Sequence, residues 1–155
     1  VGIDVAESFI QEAKQAARQF GKENVRFEIC RLDNLIANLP DYGGSFDLVL
    51  LTGAYHYFYW GSTLSDQCFE SHDAILSRLA TLCHGTLIIS ARLEMKHLSD
   101  NVSDKNRADS RRASEYTTRY FLEAAARWFD VQTGPKLGRY PTYIMKRLPS
   151  EPARV

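Results

Sequence analysis

Two carboxylates and one run of aromatic residues are the parts of this sequence whose types and positions could do chemistry. Asp4 closes the short apolar run Val1-Gly2-Ile3-Asp4 and is followed at once by Val5 and an amphipathic segment. A carboxylate at the end of a strand that feeds a helix can accept hydrogen bonds from both hydroxyls of a ribose. The same position suits a carboxylate that merely complements a helix N-terminus. Asp33 lies in Arg31-Leu32-Asp33-Asn34-Leu35, just past a second strand-like stretch, as a ligand-facing group or a solvated turn residue. Thr52 and Gly53 leave the most apolar strand at its carboxyl end, where open α/β sheets bind ligands, and Gly53 lets backbone approach a ligand closely. Tyr55-His56-Tyr57-Phe58-Tyr59-Trp60 then surrounds one imidazole with rings. A histidine titrates near neutrality, so His56 could remove a proton from an acceptor. The faces of Tyr55, Tyr57, Tyr59 and Trp60 could hold a substrate or a cation, or could pack this segment onto a sheet.

Other chemistries find less support. His72, His84 and His97 have no metal-ligand spacing with one another or with Cys30, Cys68 and Cys83, so no metal site is expected. Three cysteines without a CxxC read as reduced thiols in a cytoplasmic setting. Arg107, Arg111 and Arg112 could meet an anionic acceptor, but Asp104, Asp109 and Glu115 are interspersed, which favours a solvated polar segment. GxGxxG, GxxxxGK[ST] and GxSxG are absent. The 155 residues carry 19 basic and 19 acidic side chains, so nothing global favours nucleic acid or an anionic membrane. No apolar run is long enough to cross a bilayer and no secretory signal pattern is present.

The elements that must position these groups follow from periodicity. Residues 1 to 5 form a strand. Phe9, Ile10, Ala13, Ala16, Ala17 and Phe20 share a helical face that Gly21 terminates. Val25 to Cys30 alternates as a strand, and Phe46 to Leu51 is a near-continuous apolar run of the kind found in a parallel sheet covered on both faces. Thr52 to Thr63 is expected to be loop, Asp66 to Cys83 helix, and Gly85 to Ser90 a further buried strand. Arg92 to Ser114 lacks a sustained apolar face and is expected to be a mobile connection or small cap. Phe121, Ala124, Ala125 and Trp128 mark another helix. Phe129 to Gln132, a Gly134–Gly138 turn and Arg139 to Arg147 form a hairpin. One domain over 1–148 is expected, with a disordered tail over 149–155. The fold class is α/β, an open sheet that is mostly parallel with a C-terminal antiparallel hairpin.

In order and spacing these pieces resemble the class I S-adenosylmethionine-dependent methyltransferases, a Rossmann-like fold. Gly2-Ile3-Asp4-Val5 before a helix, Leu32-Asp33-Asn34-Leu35, Phe46-Asp47-Leu48-Val49-Leu50, Tyr55-His56-Tyr57, the Gly85 to Ser90 strand and the Tyr116-Thr117 helix opening carry the resemblance. It implies S-adenosyl-L-methionine as cofactor, with Asp4 and Val5 at the ribose and Asp33 and Asn34 facing the adenine amino group. Leu32 and Leu35 would lie near the ring, and Thr52 and Gly53 beside the methionine part. His56 falls on the first histidine of a Leu-His-His-Leu-like pattern, and Tyr57 replaces the second. The implied reaction is methyl transfer to an oxygen, nitrogen or carbon nucleophile of a small molecule or glycan, with His56 as base and Tyr55, Tyr57, Tyr59 and Trp60 at the substrate. A non-catalytic methyltransferase-like scaffold that has lost cofactor binding is the rival. A nicotinamide-dependent oxidoreductase half-domain shares Asp4 but explains the hairpin poorly.

The resemblance also places a first strand and its glycine-rich turn ahead of Val1, in a sheet ordered 3-2-1-4-5-7-6. With strand 1 lacking, strands spaced about 4.8 Å apart would leave a central gap of two spacings. Unpaired backbone groups there, at about 1–3 kcal/mol each, would exceed a typical stability of about 5–15 kcal/mol. The expectation is that a first segment belongs with this chain, the alternatives being that its neighbours close up or another chain fills the slot. These 155 residues alone are not expected to catalyse.

Overall fold

A computed structural model describes residues 1–65, 68, 69, 71–95, 102, 106, 108–138 and 140–149. His97, Asp104, Arg107, the start of the expected helix at Asp66 and the tail from residue 150 onward lie outside the described residues. The chain divides into two compact units, Val1–Leu39 and Pro40–Val155.

The first unit is a parallel βαβ arrangement. Strand β1 (Gly2–Asp4) pairs in parallel with β2 (Phe27–Ile29), Asp4 opposite Ile29. Helix α1 (Glu7–Gln19) connects them, with Glu7 in its first turn and Arg18 in its last, each suited to the helix dipole. Gly21, at φ 60°, ends it as expected: its N–H bonds the Arg18 carbonyl and the Lys22 N–H the Ala17 carbonyl, the paired closure of a Schellman motif. The inward stripe is narrower than the periodicity suggests. Ile10 is buried and Ala13 and Ala17 partly so, whereas Phe9 and Phe20 are exposed. Helix α2 (Leu32–Ala37) buries Leu32 and Leu35.

The second unit is built on a four-stranded sheet ordered β3-β4-β6-β5. Strand β3 (Phe46–Thr52) pairs in parallel with β4 (Cys83–Ser90), and β6 (Tyr140–Arg147) runs antiparallel to β4 and to β5 (Phe129–Leu137). Three of the four strands run in one direction and β6 opposes them, the mixed sheet with a terminal antiparallel hairpin expected from the sequence. Phe46 faces Cys83 while Leu48 faces Thr86, so β4 carries one residue more than β3 between these rungs, a β-bulge. Gly85 makes the bulge possible, because a Cβ there would lie 2.1 Å from the Asp47 carbonyl oxygen. His84 pins it from outside, Nε2 at 2.8 Å from Asp47 Oδ1 and Nδ1 at 3.0 Å from Ser45 Oγ.

Helices α3 (Tyr55–Trp60), α4 (His72–Leu82), α5 (Ser110–Glu115) and α6 (Thr118–Ala125) complete the unit. Ser71, Asp109 and Thr117 cap α4, α5 and α6 by accepting from the N–H groups of Ala74, Arg112 and Tyr120. Ile75, Leu76 and Leu79 of α4 and Phe121 and Ala125 of α6 are buried, as are Leu87 and Ile89 of β4, Phe129 of β5 and Tyr143 and Met145 of β6. These side chains form the core of the unit.

Four sequence expectations change. Tyr55 to Trp60 is helical because its rings are swallowed by the core rather than left on a loop. Helix α4 starts at its Ser71 cap and runs into β4 at Cys83 without a connecting loop. The strand β5 continues through Gly134 and Pro135 to Leu137, with an irregular register between Gly134 and Leu137, so Gly134 and Pro135 belong to the strand rather than to the turn. The polar stretch after Arg92 is not structureless: it contributes α5, a buried Val102 bridged to Ser62, and an Asn106 side chain that donates to the Trp60 carbonyl at 2.7 Å. No helix among the described residues is long and apolar enough to cross a membrane.

Candidate functional site

In the first unit the parallel pairing brings Asp4 and the Arg31–Asp33 turn to the same carboxyl edge. Ladder contact continues past β2, the Cys30 N–H donating to the Asp4 carbonyl at 3.0 Å. Asp4 Oδ1 accepts from the Ala6 N–H at 2.8 Å, which fixes the carboxylate across the Val5 turn and leaves Oδ2 for a ligand. The side chain is half-buried, so it is both held and reachable. Asp33 Oδ1 accepts from the Asn34 N–H at 2.9 Å and Oδ2 meets Arg31 Nη2 at 3.2 Å. Both partners are partly exposed, so the pair is weak and open to exchange. Asn34 is exposed, whereas Leu32 and Leu35 are buried and offer a ligand only an edge.

The second unit places Thr52 and Gly53 at the carboxyl end of β3. Gly53 takes φ 69° and its N–H donates to the Ser90 carbonyl at 3.3 Å, so β3 and β4 end level with each other. Beyond them the aromatic helix α3 sorts its side chains in a way the sequence did not separate. Tyr55, Tyr59 and Trp60 are fully buried. Tyr55 OH is 2.8 Å from His72 Nδ1, Tyr59 OH donates to the Arg112 carbonyl at 3.1 Å, and Trp60 packs edge-on against Tyr116 with centroids 5.2 Å apart. For these three the expectation of substrate contact gives way to packing, since no ring face is left. Tyr57 remains partly exposed and lies against the His56 ring, centroids 4.0 Å apart.

His56 itself is 1% exposed, and neither ring nitrogen has a hydrogen-bond partner among the described residues. Burial, reinforced by the positive charge of Arg92, pushes its pKa down to about 4. The imidazole is therefore neutral at neutral pH and, in this state, a weak base. His72 is held neutral in the same way, burial lowering its pKa to about 4 against the opposing Glu115 backbone. Burial also raises the phenol of Tyr59 to about 12 and that of Tyr116 further still, so these hydroxyls stay protonated and act as donors.

The sequence reading passed over Arg92, and misjudged Arg112. Arg112 is a tether rather than a solvated charge: Nη2 donates to the carbonyls of Tyr59 and Phe69 and to Cys68 Sγ, and the guanidinium lies over the Tyr59 and Trp60 rings. Arg111 is exposed beside Glu115. Arg92 sits two residues past the end of β4, a position that a search of strand ends would have flagged. A cleft of about 220 Å³ also opens between α4, α5 and α6 at His72, Asp73, Glu115, Glu123 and Arg127. Its charges are already matched, Asp73 with Arg127 and Trp128 Nε1, Glu123 with Arg119. Among the described residues no cluster of His, Cys, Asp and Glu could hold a metal ion.

A family model described as a methyltransferase domain matches residues 1–137. Among solved structures, the chain superposes on monomeric WbdD with a TM-score of 0.60 at 17% identity, covering 93% of this chain and 30% of that one. The PH0226 protein from Pyrococcus horikoshii OT3 matches with a TM-score of 0.57 at 16% identity, covering 96% of this chain and 70% of that one. Magnesium protoporphyrin IX methyltransferase (ChlM) from Synechocystis PCC 6803, solved with bound SAH, matches with a TM-score of 0.57 at 20% identity, covering 96% of this chain and 63% of that one. At these identities the likeness is one of fold. A search of curated proteins finds no match.

Proposed function

The chain belongs to the methyltransferase-domain family, and from that premise we propose that the protein uses S-adenosyl-L-methionine to methylate an oxygen, nitrogen or carbon nucleophile of a small molecule or glycan. The observation that carries this reading is Asp4, fixed at the carboxyl end of β1 by the Ala6 N–H with Oδ2 left over. The residues present fit a nucleoside: acceptor carboxylates at Asp4 and Asp33 suit ribose hydroxyls and an exocyclic amine, both of which are donors. When bound, the sulfonium supplies an activated methyl group for in-line displacement.

What the chain does in such a reaction is mostly to bind and orient. Asp4, with Val5, holds the ribose, and Asp33 and Asn34 address the adenine, the buried Leu32 and Leu35 supporting that turn from beneath. Thr52 and Gly53 border the methionine part through exposed backbone at the end of β3. His56, beside Tyr57, takes the acceptor's proton where the acceptor must lose one. Its depressed pKa makes it a poor base as it stands, so this role requires an acceptor that shifts the local charge.

Calorimetric titration of the intact protein with S-adenosylhomocysteine tests the reading. Binding is expected, weakened at least about tenfold by Asp4→Ala through loss of a charge-assisted hydrogen bond. Absence of binding at millimolar ligand would overturn it in favour of a non-catalytic scaffold.

A further inference from the structure

We propose that Arg92 and His56 form a recognition site for an anionic oxygen group, a carboxylate or a phosphate, carried by the molecule that is methylated. This rests on the methyltransferase reading and names a chemical class for its acceptor.

Arg92 is placed and held as a ligand-binding side chain rather than a structural one. It follows β4 by two residues, and the Gly53-to-Ser90 hydrogen bond shows that β3 and β4 end together, so Arg92 stands at the carboxyl ends of two parallel strands. Its main chain is fixed on both sides: the Tyr116 hydroxyl donates to the Arg92 carbonyl, and the Ala91 N–H donates to the Pro141 carbonyl at 3.4 Å. Its guanidinium carbon lies over the Tyr140 ring, 4.9 Å from the centroid, a contact that uses none of its hydrogen-bond donors. Two other partly buried arginines spend guanidinium donors on the chain itself, although Arg112 Nε, like Arg92 Nε, has no partner. Arg112 bonds two carbonyls and a thiol, and Arg147 bonds the carbonyls of Ala80, Trp128 and Leu148. Arg92 Nε is buried with no partner, and among the described residues no carboxylate pairs with its guanidinium.

His56 is the independent observation. It is buried, both nitrogens lack partners, and Arg92 is the charged group that acts on it. A buried imidazole without partners, in the field of a cation that no carboxylate among the described residues neutralises, is an arrangement that native proteins rarely keep unless a ligand completes it. One anionic group would answer both needs. Two of its oxygens can accept from the guanidinium fork, and one can accept from an imidazole N–H. A cationic acceptor would meet repulsion from Arg92, and a neutral hydroxyl would leave its charge uncompensated.

Nuclear magnetic resonance of the His56 ring in the intact protein, titrated separately with benzoate, phenyl phosphate and benzyl alcohol, tests the proposal. Saturable shifts with benzoate or phenyl phosphate and none with benzyl alcohol are expected, and the stronger of the two anions separates carboxylate from phosphate recognition. Arg92→Gln should weaken anion binding at least about tenfold. Arg92→Lys, which keeps the charge and loses the fork, should weaken it several-fold. Equal shifts with benzyl alcohol, or anion binding unchanged in both variants, would overturn the proposal. S-adenosylhomocysteine affinity, measured alongside, is expected to stay within about twofold and reports folding of the variants. Failure of the anions with S-adenosylhomocysteine bound overturns this inference alone. Failure of S-adenosylhomocysteine with the anions bound strikes the methyltransferase reading instead.

Discussion

The two units of this chain solve the problem of holding polar groups in opposite ways. In Val1–Leu39 the groups suited to a nucleoside stand on a scaffold with little interior. Its strands are three residues long, its buried apolar side chains are Ile10, Leu32 and Leu35, and Phe9, Phe20, Val25 and Ile29 are exposed. A two-stranded ladder of that size is marginal by itself. In Pro40–Val155 the order is reversed, with polar groups sealed inside an aromatic core. Tyr55, Tyr59, Trp60, Tyr116 and Phe121 are all 1% exposed or less, and His56 and His72 are buried among them. His72 stacks on Tyr116 at 5.5 Å and meets Phe121 edge-on at 5.9 Å. The first unit keeps the Asp4 and Asp33 carboxylates accessible through turn geometry, the second keeps His56 and His72 neutral through desolvation. Binding chemistry therefore does not require a deep core, but pKa control does.

This contrast can be broken at several points. Phe121→Ala removes a fully buried ring and should cost the second unit about 3–5 kcal/mol in urea denaturation, while hydrogen exchange in α2 stays as it was. Equal loosening of α2 would mean that the two units share one cooperative transition.

Acid should act on the same unit, because the four histidines all lie beyond Leu39. His56 and His72 have folded pKa values of about 4 against an ordinary 6.5, so the unfolded chain binds protons that the folded one refuses. Stability is fully present above pH 6.5 and declines as pH falls toward 4, each histidine contributing up to about 1.4 kcal/mol per pH unit within that window. Tryptophan fluorescence follows this directly, since Trp60 and Trp128 are both in this unit. A melting profile flat between pH 6.5 and 4 would contradict the neutral-histidine account.

Two glycines sharpen the comparison at smaller scale. Gly85→Ala drives a Cβ against the Asp47 carbonyl, rigid backbone in the bulge, and should cost about 1–3 kcal/mol. Gly2→Ala meets only the Phe27 ring, at 2.7 Å, which can turn aside on its exposed flank; a cost below about 1 kcal/mol is expected by thermal melting. Smallest of all, Phe20→Ser at a site 76% exposed should change stability by no more than about 0.5 kcal/mol. A larger loss would show that this ring is covered in the protein.

Periodicity made the strands and most helices legible, and the resemblance ordered them. Where the reading fell short, the reason was tertiary. Six consecutive aromatic and imidazole residues have no amphipathic signature, so nothing local says that Tyr55, Tyr59 and Trp60 turn inward while Tyr57 does not. The Phe9 and Phe20 rings fit a helical stripe but stay exposed, because the stripe buries only Ile10 fully. The polar stretch around Arg112 looks solvated until Tyr59, Cys68 and Phe69 gather around that guanidinium from over forty residues away. Asp4 was readable as a candidate because its placement depends on position along one strand. Arg92 could be found at a strand end but not singled out there, because what sets it apart is the Tyr140 ring beside it and the buried Nε without a partner.

The strand Phe46–Thr52 ends its sheet and shows Leu48 and Leu50 more than half exposed on one face. An apolar strand at the end of a ladder offers its outer backbone groups to a further strand. The only charge in its sequence is Asp47, which stands almost fully exposed where β3 begins. A charge at that position disfavours the pairing of like apolar strands. Asp47, already tied to His84, thus has a second bearing, on what that edge can join.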